Sequence, residues 1–192
     1  MKYKFLLVIV FFSTFKIQAQ LKYEREFRIK KSQFPSSALQ LIEEKLTGTK
    51  KIKYYKEIDK SVAIYNVKFK KERLWYSLEF TKEGILKDIE VKISTIDIPE
   101  ESYERILLFL KQTFTSYKIK EIQQQYVVLN NEKEILKVAF QNLITPDINY
   151  NLLVKGKKET RGKKEYKTLY NFEGKNISIK ETLPPNYDHT LY

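Results

Sequence analysis

The sequence predicts an α+β fold made as a tandem repeat, each copy a helix packed on an antiparallel four-stranded sheet. Three observations predict it. The stretch WYSLEFTKEGILKDIEV at 75–91 is written again ninety residues later as EYKTLYNFEGKNISIKE. Two amphipathic segments, opened by Phe34-Pro35 and Ile98-Pro99, stand ahead of the two copies. Each is followed by a lysine-rich extended run, KKIKYYKEI and then YKIKEIQQQYVV. A helix laid on one face of an antiparallel sheet, made twice, is an α+β architecture.

The elements follow in chain order. Residues 1–19 place Lys2 and Lys4 ahead of an apolar run from Phe5 to Phe12 and end on the small residue Ala19. This is the order of a secretory signal peptide. The apolar run is too short for a bilayer span, which wants about 20 residues; an uncut anchor is the alternative. No later segment reaches spanning length, so a soluble mature chain starting near Gln20 is expected. The lead-in YEREFRIKK should add an extended edge. After Phe34-Pro35, Leu39, Ile42 and Leu46 recur at helical spacing, as Tyr103, Ile106, Leu110 and Phe114 do after Ile98-Pro99, with proline at the first helical position.

The repeated stretch reads as a hairpin. Tyr76, Leu78 and Phe80 alternate with Ser77, Glu79 and Thr81, the period of a strand with one buried face. Glu83-Gly84 turns the chain, and Ile85, Ile89, Val91 and Ile93 set a second apolar face interrupted by Lys87. In the later copy Tyr166, Thr168 and Tyr170 stand in the equivalent places, Glu173-Gly174 repeats the turn, and Ile177 and Ile179 follow. Upstream, Tyr65–Phe69 matches Tyr150–Val154 at an offset of 85, so five residues are added in the loop KGKKETRGKK relative to KKERL. Exposed hairpin loops tolerate such additions. The second copy also holds an inserted segment within 127–147. There Ile135, Val138, Ala139 and Leu143 suit a short helix, while the alternation in EILKVAF also permits a strand. The expected organisation is a signal peptide at 1–19, a first repeat at 20–96, a second at 97–183 and a tail at 184–192.

The helix opened by Phe34-Pro35, the strand WYSLEF, the turn Glu83-Gly84 and the strand ILKDIEV resemble the PepSY-like modules of secreted bacterial proteins. That family is related in fold to the β-lactamase inhibitor protein, itself a tandem of helix-plus-sheet repeats. The likeness covers most of residues 30 to 183 and is clearer in the first copy. It implies a β-lactamase-inhibitor-protein-like fold and a periplasmic or exported binding module. The family carries no catalytic residues over to this chain.

Composition excludes several chemistries. There is no cysteine, hence no disulfide, thiolate metal site, cysteine nucleophile or lipid-bearing cysteine. His189 is the only histidine, which excludes multi-histidine metal sites, and it lies in the tail beside Asp188. No G-x-S-x-G elbow occurs. Gly156 to Lys164 imitates a phosphate-binding loop but has Arg161 where the second glycine belongs and Lys164 in place of the hydroxyl residue. Glu79, Glu83, Asp88 and Glu90 read as solvent-face charges around a hairpin. No cofactor, metal site or specific nucleic acid is expected, and no enzymatic activity.

Two candidate surfaces remain. The net charge is +12, or +9 once Lys2, Lys4 and Lys16 leave with the signal, which favours anionic partners. Lys70, Lys71 and Arg73 (with Lys68) in the first copy, and Lys157, Lys158, Arg161, Lys163 and Lys164 (with Lys155) in the second, fall at equivalent hairpin tips. They could present two positive prongs to a polyanion or an envelope surface, or simply keep strand edges soluble. Among Tyr54, Tyr65, Trp75, Tyr76, Tyr150, Tyr166 and Tyr170, alternation puts Trp75 opposite Tyr76, Leu78 and Phe80. Trp75 is therefore the candidate contact for a protein or peptide partner.

Overall fold

The computed structural model describes residues 25–59, 62–129, 131–159 and 162–182. The segment expected to be a signal peptide, and the tail with His189, lie outside them. The chain runs β1 (Arg25–Ile29), α1 (Ser36–Leu46), β2 (Lys50–Asp59), β3 (Val62–Lys71), β4 (Leu74–Thr81), β5 (Leu86–Ile93), α2 (Glu100–Thr113), β6 (Ser116–Val127), α3 (Glu132–Phe140), β7 (Ile148–Lys157), β8 (Lys163–Asn171) and β9 (Asn176–Thr182). Pro35 and Pro99 occupy the cap positions just before α1 and α2, one residue ahead of the expected place.

The nine strands form one open antiparallel sheet in chain order. The two halves do not pack face to face. They join edge to edge, through a β5–β6 ladder that runs from Asp88↔Val127 to Ile93↔Ile122. The join lets each strand satisfy the other's backbone donors and acceptors. The apolar strand faces are covered by helices, so neither half needs the other's sheet as a lid.

One face of the sheet carries the core. Val67, Leu78, Ile89, Tyr126 and Ile148 lie side by side in register across five strands, all buried. Beside them run Phe69, Tyr76, Val91, Gln124, Tyr150 and Tyr170. Ala38 and Ile42 of α1, Ile106 and Leu110 of α2, and Leu136 and Ala139 of α3 are buried against this layer. Aromatic contacts tie each covering segment down: Phe34 to Phe80 at 5.7 Å, Phe109 to Tyr170 at 5.7 Å and Phe140 to Tyr76 at 4.9 Å between ring centroids. Tyr54, Tyr76, Tyr150, Tyr166 and Tyr170 are all core residues, and Tyr65 packs at the core's margin.

The inserted segment is a helix, capped by the Asn131 side chain, which accepts from the Lys133 and Glu134 amides. Its Glu132 carboxylate accepts from the Leu86 amide at 2.6 Å, pinning α3 to β5. Leu143, expected on its apolar face, lies beyond the helix and is exposed.

The repeated hairpins have one construction. In each, a glycine at positive φ closes the turn, Gly84 at 82° and Gly174 at 80°. The turns use equivalent hydrogen bonds: Gly84 N–H donates to Thr81 O and Thr81 N–H to Ile85 O, as Gly174 does to Asn171 and Asn171 to Lys175. Each turn lies under the first turn of a helix. Ser37 Oγ donates to Glu83 O at 2.7 Å, and Ser102 Oγ to Phe172 O at 2.8 Å. A Cβ at Gly84 would fall 2.0 Å from Ser37 Oγ, and one at Gly174 would fall 2.2 Å from the Ser102 carbonyl oxygen. The glycines are required by this close approach as much as by the turn.

Each hairpin also slips register next to its turn. Phe80 pairs with Leu86 while Glu79 pairs with Asp88, so Lys87 is the extra residue. Tyr170 likewise pairs with Asn176 while Leu169 pairs with Ser178. This bulge reverses the alternation near the turn. It buries Leu86 and leaves Ile85, expected in the apolar face, exposed; Ile177, the extra residue of the second hairpin in the place of Lys87, is exposed as well.

Candidate functional site

With all three helices on one side, the other face of the sheet is left open, and its side chains follow from the ladder register. Along one row stand Asn66, Glu79 and Asp88. The next holds Lys68, Ser77, Glu90 and Gln125, and the next Lys70, Trp75, Lys92, Gln123 and Asn151. All of them except Lys70 and Gln125 line a trough of about 600 Å³ across the middle strands. Ser77 sits at its centre, and this short side chain between longer neighbours gives the trough its depth.

Trp75 stands on the open face, as the alternation of β4 requires, with 37% of its surface exposed. The Lys51 ammonium lies 5.5 Å from its ring centroid. It is the large aromatic of the trough's wall.

The carboxylates depart from the sequence reading. Glu83 is exposed at the turn, but Glu79, Asp88 and Glu90 are partly buried in the trough rather than spread on a solvent face. The bulge brings Asp88 directly opposite Glu79, and strands β3, β6 and β7 then wall in both. Asp88 Oδ2 accepts from the Gln125 amide at 3.0 Å, and Glu90 Oε1 from the Asn151 amide at 3.0 Å. Burial, reinforced by Glu79 and Glu90, pushes the Asp88 carboxyl up to about 7, against the opposing pull of Gln125 and Lys87. Burial also raises Glu90, with Asn151 and Lys167 acting in the other direction. The signal available in the sequence was the alternation itself, which puts 75, 77 and 79 on one side of β4 and 88, 90 and 92 on one side of β5. What it could not give was the slip that aligns the two sets, or the flanking strands that desolvate them.

At the trough's rim the charges are paired. Lys68 donates to Glu26 at 2.6 Å while its ammonium lies 4.8 Å from the Tyr55 ring, Lys92 donates to Glu121 at 2.7 Å, and Lys87 pairs with Glu79. Among the described residues no group of three His, Asp or Glu is placed to hold a metal ion.

The basic hairpin tips lie at one end of the sheet but at different heights. Lys70 is in the Trp75 row, whereas Lys157 and Lys163 pair six residues beyond Asn151 and Leu169. That is about 20 Å farther along the strands. Nor do the cations share a face. Lys71 lies over the Phe140 ring at 5.1 Å and Lys158 over the Tyr166 ring at 5.0 Å, both on the helix side. Lys164 pairs with Glu181, Arg73 sits in the β3–β4 turn, and Arg161 is outside the described residues. The glycine of the phosphate-loop imitation has a packing role: Gly156 lies against Phe114, whose ring would be 2.4 Å from any Cβ there.

No protein-family model matches the chain, and no curated protein matches its sequence. Solved structures share its fold. A DUF2874 family protein from Bacteroides ovatus aligns with a TM-score of 0.52 at 9% identity, covering 77% of this chain and 87% of that one. A protein from Bacteroides eggerthii, provisionally assigned to the periplasm, aligns with a TM-score of 0.53 at 12% identity over 77% of this chain and 88% of the other. A BLIP-like protein from Bacteroides fragilis aligns at 0.49 and 15% identity, over 81% and 92%. At these identities the likeness to the first two is one of fold.

Proposed function

We propose that this chain is an exported, non-enzymatic binding module of PepSY-like type that engages a protein or peptide through the open face of its sheet. Two copies of one helix-plus-sheet template make up the reading, and the periplasm is its compartment, in keeping with the assignment given to the Bacteroides eggerthii neighbour. One observation carries it: the helices all cover one face, while the opposite face offers a trough walled by the exposed Trp75. Large aromatics at the margin of a polar depression are what binding surfaces use as anchors.

Capture from envelope extract tests it, with wild-type protein and Trp75→Ala side by side. Loss of one or more specific bands with the variant supports the reading. Equal capture by both removes Trp75 from the interface.

The alternative is a polyanion or envelope-surface binder acting through Lys70, Lys71, Arg73, Lys157, Lys158, Arg161, Lys163 and Lys164. Its support is the net charge of +12; against it stand the different heights and faces of the tips. Retention on anionic vesicles that falls steeply with salt, and is lost on charge reversal of Lys157, Lys158, Lys163 and Lys164, would favour it.

A further inference from the structure

The trough reverses the charge of the molecule that holds it. Six carboxylates line it, Glu26, Glu57, Glu79, Asp88, Glu90 and Glu121, against three ammoniums, Lys68, Lys92 and Lys167, in a chain whose net charge is +12. The distribution of contacts matters more than the count. Lys68 and Lys92 are engaged by Glu26 and Glu121 at the rim, and Glu79 by Lys87. At the centre, Asp88 and Glu90 each accept one hydrogen bond from a neutral amide, of Gln125 and Asn151, and the Lys167 and Lys68 ammoniums also face Glu90 and favour its charged form. A carboxylate has about four lone-pair sites, so each retains acceptor capacity. Ser77 lies beside Glu90 in register and leaves room above it, and Trp75 is two residues farther along the same strand face. In a chain this basic the trough is a local excess of negative charge, which favours a cationic ligand there.

We propose that the trough receives a cationic side chain, arginine or lysine, presented by a peptide or protein partner, with its charged head at Asp88 and Glu90 and its aliphatic stem across Ser77 against Trp75. The proposal rests on the binding reading above and names the chemistry of the partner at that site. A guanidinium would satisfy both carboxylates at once and offset their mutual repulsion, and the indole gives its stem an apolar wall. The groups facing Asp88 are Glu79 from β4, Lys87 and Glu90 from β5 and Gln125 from β6. With burial holding the Asp88 carboxyl up at about 7, occupancy should strengthen as pH rises through neutrality, and binding should release a proton.

Chemical-shift titration of isotope-labelled protein tests this with three end-blocked probes, N-acetyl-arginine amide, N-acetyl-lysine amide and N-acetyl-glutamine amide. The arginine and lysine probes should move the side-chain amide signals of Gln125 and Asn151 and the Trp75 indole signal, the glutamine probe should not, and affinity should rise about tenfold between pH 6 and pH 8. Asp88→Asn with Glu90→Gln, near-isosteric changes that keep the amide contacts, should abolish the response while the core signals stay in place. Equal shifts from the glutamine probe, an unchanged response in the double variant, or no response at pH 8 overturns the proposal. Failure here with Trp75-dependent capture intact would leave the open face as an interface of other chemistry. Failure of both would remove the binding reading itself.

Discussion

The β4–β5 and β8–β9 hairpins share a backbone and differ in what they display. Turn, glycine conformation, turn hydrogen bonds and bulge are the same in both, and a helix serine donates to each turn, to Glu83 O in one and to Phe172 O, one place earlier, in the other. On the core face Tyr76 and Phe80 are answered by Tyr166 and Tyr170. On the open face the likeness ends: Trp75, Ser77 and Glu79 correspond to Glu165, Lys167 and Leu169, and Asp88 and Glu90 to Ser178 and Lys180. The common features are those that let a strand pair sit under a helix. The residues found only in the first hairpin are those that line the middle of the trough, so what a hairpin displays is separable from how it is held.

If the two turns are equivalent supports, alanine at either glycine should be costly, and these are the largest effects expected. Positive φ costs a non-glycine residue of order 1–3 kcal/mol, and a forced contact adds a similar amount. Gly174→Ala should be the worse, by about 4 kcal/mol, because its Cβ meets Ser102 backbone at 2.2 Å. Gly84→Ala meets the Ser37 hydroxyl first, which can rotate, and the Ala38 amide nitrogen only at 2.9 Å, so about 2–3 kcal/mol is expected. Urea unfolding of the two variants measures both. A negligible loss at either site would mean that the two hairpins are not held alike.

The shared frame was the legible part of the molecule. Repetition of Glu-Gly at 83–84 and 173–174, and of alternating aromatics before it, exposed the hairpins because glycine and period-two burial leave local marks. The helices were marked by Pro35 and Pro99 and by apolar spacing. The bulge was not legible, since Ile85-Leu86 offers two adjacent apolar residues and only the ladder decides which turns inward. Once Leu86 is inward, Asp88 faces Glu79, and an expected surface charge becomes part of a trough. The joining of the halves through β5 and β6 was equally hidden, being a contact between segments whose patterns are each complete without it.

A second test takes up the open-face difference. Asp88, raised to about 7 by burial and by its acidic neighbours, holds its proton more tightly in the folded protein than in the unfolded chain, where the ordinary value is 3.8. The stability tied to that proton is fully present below about pH 4 and is lost as pH rises through 7. Asp88→Asn should therefore stabilise the protein by about 1–2 kcal/mol at pH 8, after allowance for the side chain's partial exposure, and by nothing near pH 3.5. The hairpin that carries Ser178 at the equivalent place has no such carboxyl. Ser178→Asn should give no pH-dependent difference, and unfolding curves across pH 3.5–8 separate the two.

Exchanging the display while keeping the frame is the sharper version. Glu79→Leu, Asp88→Ser and Glu90→Lys together give the first hairpin the residues that the second carries in place of the three carboxylates. The fold should survive, because the core face and turn are untouched. The response to the arginine probe should vanish. Loss of the fold instead would show that Gln125 and Asn151 depend on their carboxylate partners for more than orientation.

The smallest effects are expected at the basic tips, and they discriminate between two neighbouring lysines. Lys157 is exposed on the open side, whereas Lys158 places its ammonium 5.9 Å from the Phe114 ring and 5.0 Å from the Tyr166 ring. Lys157→Ala should change stability by less than about 0.5 kcal/mol, as exposed charges do. Lys158→Ala should cost about 0.5–1 kcal/mol, because it removes a cation from two aromatic faces and uncovers the edge of the core around Phe114. Lys71 over Phe140 should behave like Lys158, which makes the corresponding pair Lys70 and Lys71 an internal control in the first half. If Lys158 and Lys71 prove as neutral as Lys157, their ammoniums act only as surface charge, and the tips return to the anion-binding reading. If they cost what is expected, part of the basic character of the tips is explained by covering aromatic rings at the open end of each hairpin.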